Sequence, residues 1–250
     1  MNYDIFSFVA DTIIKWYDQT FTAITTAIKP VSRLEVELMG ILLAAKKETK
    51  GTLTTFANKH ILPTHALLRI LVETYIFLLW CLNVPANEKK TKSDEVYKRL
   101  RRWDYTRLKK DKALLENLPP TTEIESAIMK AETDIEKLQK NDIKELPNIK
   151  QLCHDLGREL EEVYVRLYMR YSRAVHLNRN ITQKLVSIQN ENEKPNTILY
   201  KDDIKPNGDE LITIASISYD INKVIRDFYG RQSDIMQNEY KQLESKLAKT

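Results

Sequence analysis

A chain of 250 residues with 42% hydrophobic and 30% charged residues can bury a real core, and its 5 Gly and 8 Pro are too few for the closely spaced turns of a sandwich or barrel. Two cysteines far apart in sequence, Cys81 and Cys153, read as small core residues in a reducing compartment, which excludes a disulfide framework and a cysteine metal site. The net charge of +4 is unevenly spread: between Glu88 and Lys112 eleven Lys or Arg stand against five Asp or Glu, a run that is either a solvated helix face or an attraction for phosphate-bearing partners.

At the start of the chain, Asp4 and Asp11 interrupt the apolar positions and no basic region precedes them, so no secretory leader is expected and a cytoplasmic location follows. From 3 to 28, Ile5, Phe8, Val9, Thr12, Ile13, Trp16, Tyr17 and Ile24 recur at three- and four-residue intervals, the spacing of one helical face, and Pro30 ends the run. Ser32 with Glu35 three residues on predicts a capping box for a second helix that reaches the Lys46–Lys50 region, where Gly51 follows. The two helices should form an antiparallel pair.

Pro63 and Thr64 introduce the most apolar stretch, His65 to Val84. Arg69 and Glu73 interrupt it, and its uncharged part, Thr74 to Val84, is too short for the ~20 apolar residues of a membrane span, so a buried core helix is predicted and no membrane partner. Four residues apart, Arg69 and Glu73 share a face and should pair against the helix that carries His176. A basic helix follows from about Asp94 to Glu116, punctuated by Pro119 and Pro120, and Thr121 or Thr122 caps a charged helix to about Lys140 with a narrow apolar stripe. Residues 88–142 thus read as a charged helical hairpin or arm on a single helical domain, 1–250.

Helical spacing resumes at about Asn148. The stretch from Asn190 to Gly208 reads as a long loop with Thr197 to Tyr200 extended, a last helix starts at Asp209, and a charged tail is expected to fray. The expected fold is an all-α multi-helix bundle without internal repeats.

No glycine-rich phosphate loop, zinc-binding His pair or CxxC pair occurs, so neither a metal nor a cofactor is expected. Of the four histidines only His176 lies among other reactive groups, in the stretch Tyr168-Met-Arg170-Tyr-Ser172-Arg173-Ala-Val-His176. On a continuous helix Ser172 and His176 are one turn apart and Arg173 is three residues from His176. A hydroxyl, a forked permanent cation and a proton-exchanging ring then point nearly one way, which suits phosphodiester cleavage: the imidazole moves a proton and the guanidinium stabilises charge on phosphorus oxygens. Such residues are also the material of a surface pair or a buried structural network, and Arg69 with Glu73 reads equally as an ion pair that fixes packing.

Arg170-Tyr-Ser-Arg-Ala-Val-His176, with LLRILVETYIFLLW at 67–80 upstream, resembles the HEPN superfamily (higher eukaryotes and prokaryotes nucleotide-binding), closest to bacterial HEPN-like domains of unknown function, over about residues 30–230. The resemblance implies a helical bundle that homodimerises, with Arg170 and His176 as the catalytic pair of a metal-independent ribonuclease, and Arg69 and Glu73 as supporting polar residues. It also implies anti-phage defence, as a toxin with an antitoxin or another partner protein. A straight helix turns Arg170 about 240° away from His176 at ~100° per residue, so the spacing favours Arg173 as the phosphate cation and the resemblance favours Arg170. From a different class, a non-catalytic helical interaction or sensor module partnering a defence protein fits the same sequence, and a nucleotide-binding domain is a third reading.

Overall fold

The computed structural model describes residues 3–27, 32–84, 89–175, 186–191, 194–200 and 208–248. The protein is an all-α multi-helix bundle. Helices α1 (Tyr3–Ala27) and α2 (Arg33–Ala57) pack on each other, and α1 buries Val9, Ile13, Trp16, Tyr17 and Ile24 along the predicted face. The predicted capping box is present: the Ser32 backbone N–H donates to Glu35 Oε2 at 2.8 Å, which satisfies a donor that a helix start otherwise leaves bare.

Helix α2 does not stop at Gly51 but runs six residues further. A Cβ at Gly51 would lie 3.3 Å from Leu67 Cδ1, so α2 comes close to α3 (Ile61–Leu82) at this glycine, which stays inside the helix in spite of its poor helix propensity. Helix α3 (Ile61–Leu82) likewise starts before the predicted His65, because Pro63 falls in its first turn, where a missing N–H costs nothing.

Helix α3 is the centre of the bundle. It packs against α2, α4 (Lys89–Leu115), α6 (Ile149–Leu156), α8 (Met169–Val175) and α9 (Gly208–Phe228). Leu68, Leu71, Val72, Ile76, Leu78 and Cys81 are fully enclosed, and each buried aliphatic side chain contributes about 1.5–3 kcal/mol. By length and hydropathy α3 is long and apolar enough to cross a membrane, but half of that window is buried inside the bundle, as in a core helix.

The predicted hairpin is formed by α4 (Lys89–Leu115) and α5 (Thr122–Lys140). It has a small core of its own, Tyr105, Leu138 and Ile143 with Leu108 and Ile135, and joins the body through α4, which packs on α2 and α3. Part of the basic run is paired here. Arg99 and Arg102 stack on Trp80 at 4.7 and 5.4 Å, Arg101 pairs with Asp104 at 2.7 Å, Lys112 with Glu116 and Glu132 at 3.1 Å each, and Lys109 with Glu145. Arg99 also donates to the Trp80 carbonyl at 2.6 Å, so a cation covers the C-terminal end of α3.

Gly157, at φ +103°, separates α6 from α7 (Arg158–Val163). The chain then passes through a π-helical turn, Tyr164–Tyr168, into α8. Extended structure goes beyond Thr197 to Tyr200 and begins before the expected loop, in residues 186–189 that follow the helical spacing: β1 (Val186–Glu191) and β2 (Lys194–Tyr200) pair antiparallel, with a register shift at Gln189/Asn190.

The tail expected to fray is instead helix α10 (Asp234–Leu247). Met236, Leu243 and Leu247 are buried, and Glu239 accepts from Lys15 Nζ at 2.6 Å and Trp16 Nε1 at 3.0 Å, which ties the tail to α1. Burial outweighs the segment's high charge. Both cysteines are free and buried, and burial pushes the Cys153 thiol up to about 11, aided by Glu161.

Candidate functional site

Helix α3 presents polar side chains at positions 65, 69 and 73, one turn apart each, along the side that meets the π turn, α8 and the start of α9. The Arg69 Nε donates to Glu73 Oε1 at 3.0 Å, forming the predicted pair. Both side chains are about three-quarters covered, and Arg69 also donates to Tyr168 Oη at 3.2 Å with its guanidinium over that ring at 5.3 Å. Burial works against the Arg69 charge, but Glu73 and Tyr168 outweigh it and raise its pKa above the ordinary arginine value. The pair therefore meets the π turn at Tyr168, while its expected contact with His176 falls outside the described residues.

Tyr168 is positioned by the π turn. Its ring stacks on Tyr164 at 5.1 Å between centroids, a pairing made within the turn itself. An extra residue in one helical turn re-aims side chains, and such turns are common where a helix serves a function. Burial first, then the Glu73 carboxylate, raises the Tyr168 pKa, so this phenol stays protonated at neutral pH.

One turn N-terminal of Arg69, His65 completes a second cluster. Its Nε2 lies 3.0 Å from Glu210 Oε1, and Arg170 Nη2 donates to the same oxygen at 3.1 Å. The Glu210 side chain is 3% exposed, held in the first turn of α9, where the positive end of the helix dipole favours a carboxylate. Tyr171 is fully buried, with its ring 5.0 Å from His65 and its hydroxyl donating to Thr213 Oγ1 at 3.3 Å. Burial is the main reason that its pKa is raised. The aromatic residue that follows Arg170 is thus a core side chain that seats α8 on α3 and α9.

Of the residues selected from sequence, the structure gathers Arg69, Glu73 and Arg170 at the seam of α3 and α8, while Ser172 is half-buried on α8. Arg173 belongs to the α8 backbone but its side chain, like His176 entirely, lies outside the described residues. Sequence reasoning missed Glu210, Tyr168 and His65. His65 had a signal, the four-residue spacing 65, 69, 73, whereas nothing local marks Glu210, which joins the seam from forty residues beyond Arg170.

Among the described residues no group of three or more His, Cys, Asp or Glu side chains is placed to hold a metal ion. A wide cleft of about 880 Å³ between α1 and α2, lined by Phe6, Ile14, Lys15, Asp18, Lys50 and Leu53 among others, contains none of the candidate residues.

A family described as "Family of unknown function (DUF5677)" matches residues 38–195. The chain belongs to that family. The DUF5677 match takes in α3, the α4–α5 hairpin and the whole Arg170–His176 stretch, and ends before α9, so Glu210 reaches the seam from outside the matched span. No curated protein and no solved structure matches the chain.

Proposed function

We propose that this protein is a metal-independent ribonuclease of a bacterial defence system, a cytoplasmic, homodimeric RNase-like toxin held in check by an antitoxin or partner protein. The observation that carries this reading is Arg170. One corner of its guanidinium rests on the buried Glu210 carboxylate while the side chain remains about half exposed, six residues before His176 in sequence and on a helix that packs against the one carrying the Arg69–Glu73 pair. A forked cation fixed on one edge and open on the other suits a phosphodiester. The resemblance of the 170–176 stretch to the HEPN motif points the same way.

In this reading His176 takes the proton of a ribose 2′-hydroxyl or gives one to the leaving 5′-oxygen. Arg170 or Arg173 stabilises the charge that builds on the phosphorus oxygens, and Ser172 with the Arg69–Glu73 pair orients the site. The test is cleavage of total RNA in the presence of a chelator. His176→Ala should lower the rate by ~10²–10⁴-fold with the helical circular dichroism unchanged. Arg170→Ala and Arg173→Ala, assayed separately, decide which cation serves the phosphate. Intact RNA with wild-type protein and any cognate activator, together with a biological effect that survives His176→Ala, would refute the nuclease.

A second reading, the non-catalytic interaction module, is favoured by a specific feature: Val165 and Met169, one turn apart on the π turn and α8, are 60% and 39% exposed beside the same motif. Apolar side chains left in water next to a polar seam suit a protein partner. The internal pairing of the α4 cations also leaves less free charge for RNA than the basic run alone suggests.

A further inference from the structure

Helix α4 turns two different sides to its surroundings. Tyr105, Leu108 and Lys112 face α5, where the first two join the small core of the hairpin and Lys112 pairs with Glu132. At ~100° per residue, positions 99, 103, 106, 107, 110 and 114 lie within about 60° of the side opposite Lys112, and none of them is acidic. Arg99 is engaged with Trp80 and the C-terminal end of α3. Beyond it, Trp103 rests against Phe77 with ring centroids 5.4 Å apart and is still 48% exposed. One turn further, Arg107 is 65% exposed and pairs with Asp111 at 4.0 Å, a contact between two solvated side chains that holds neither firmly. Lys110, two turns from Trp103, is exposed and makes no hydrogen bond or ion pair among the described residues.

We propose that this side of α4 is a docking surface for single-stranded nucleic acid, with Trp103 as the platform on which one base stacks and Arg107 and Lys110 as the cations that meet the phosphates beside it. An indole half in water offers a π-face, every base has a π-face to lay on it, and the contact is tolerant of sequence. With a rise of 1.5 Å per residue, Arg107 and Lys110 stand ~6 and ~10 Å from Trp103 along the helix, within reach of the backbone on either side of a stacked base. Phe77 packs against the indole and so holds the platform in place before a base arrives. A duplex keeps its bases stacked on one another and has no free face for Trp103, so the strand must be unpaired. An apolar protein surface laid here would strip water from Arg107 and Lys110 without replacing it. The inference deepens the ribonuclease reading and rests on it for the strand being RNA: the substrate class is unpaired RNA, held by the hairpin apart from the Arg170 seam.

The test uses the full chain and a short single-stranded 2′-deoxy oligonucleotide, which cannot be cleaved through a 2′-hydroxyl. Trp16 and Trp80 are 0% and 6% exposed, so stacking of a base reads out as quenching of Trp103 fluorescence. The oligonucleotide should quench the wild type, whereas its duplex and an abasic strand of the same length and charge should not, and the abasic strand should bind about 5- to 150-fold more weakly, the range of one stacked base. Trp103→Ala should weaken binding of the oligonucleotide by the same factor and leave binding of the abasic strand unchanged, and Trp103→Phe should restore most of the loss. Arg107→Gln combined with Lys110→Gln should lower the slope of log affinity against log salt by about 1.4, two single-strand phosphate contacts. Equal affinity for the oligonucleotide and the abasic strand, or quenching by the duplex as strong as by the single strand, would overturn the proposal in the wild type alone, as would a salt slope unmoved by the double variant. Because no probe is cleaved, such a failure leaves the ribonuclease to its own assay, and intact total RNA in that assay leaves the quenching result standing.

Discussion

Removing the Glu210 carboxylate tests whether the seam is held by a buried charge or only decorated by one. In Glu210→Ala the His65 Nε2 loses its partner at 3.0 Å with the ring 16% exposed, and an unsatisfied sheltered donor costs about 1–3 kcal/mol. Arg170, at 46% exposure, turns to water instead, so its lost bond at 3.1 Å adds at most about 1 kcal/mol. The one deleted methylene, Cγ, adds up to ~0.8 kcal/mol. These bounds put the loss near 3 kcal/mol, a fall in Tm of about 6–12 °C for a chain of this size. Arg170→Ala should cost under ~1 kcal/mol, because it removes only the exposed partner. Urea denaturation of both variants reads the difference as a shift in midpoint at constant slope. A Glu210→Ala loss below about 0.5 kcal/mol, or an Arg170→Ala loss equal to that of Glu210→Ala, would show that Glu210 is solvated and that the seam is not organised around it.

Burial raises the Asp220 carboxyl to about 6, with Lys223 offsetting part of the effect. A folded pKa above the unfolded value means that the native state holds the extra proton, so this group's stabilisation is lost as pH rises from about 4 to about 6; Asp220→Asn should flatten that slope and stabilise the protein at pH 7 by about 2 kcal/mol, checked by Tm against pH. Gly51→Ala meets only the end of a flexible side chain, Leu67 Cδ1 at 3.3 Å, so the helix propensity gained should outweigh the crowding, with a rise of about 0.5 kcal/mol in urea denaturation; a loss would mean that Leu67 cannot turn aside. Arg99→Ala removes both the covering of the α3 C-terminus and the stacking on Trp80 and should cost about 1–2 kcal/mol, with Trp80 fluorescence shifting to longer wavelength as α4 loosens.

Helix α3 and the Arg69–Glu73 pair were legible because both signals are local: hydropathy over one turn after another, and two opposite charges four residues apart. Gly51 misleads for a physical reason, since a glycine that ends a helix and one that admits Leu67 from a neighbouring helix look identical in sequence. The π turn at Tyr164–Tyr168 is hidden as well, because its residues keep an unbroken helical character and only the contact of Tyr168 with Arg69 shows what the extra residue achieves. The basic run from 88 to 112 reads in sequence as either a solvated helix face or an attraction for phosphate, and the distant partners of Arg99, Lys109 and Lys112, namely Trp80, Glu145 and Glu132, belong to α3, the loop after α5 and α5. Glu210 was beyond reach for the same cause: its role depends on α9 returning to α3, a tertiary fact that no local pattern encodes.

That return explains why one helix can serve both the core and the seam. Positions four apart on a helix drift by about 40° per step, so 65, 69 and 73 hold a narrow stripe while 68, 72 and 76 hold the adjacent one. In α3 the second stripe is fully buried and the first is polar, so every charged side chain of the first stands within one residue of the hydrophobic centre. A charge so placed must be paired or neutralised, and the structure supplies Glu73 and Tyr168 to Arg69 and Glu210 to His65. Two partners are thereby drawn from α8 or its approach and from α9, which a wholly apolar α3 would not specify in register. The polar stripe fixes how the segment bearing Arg170 and leading to His176 is laid on the core, so the same contacts that order the bundle also set which edge of Arg170 faces solvent.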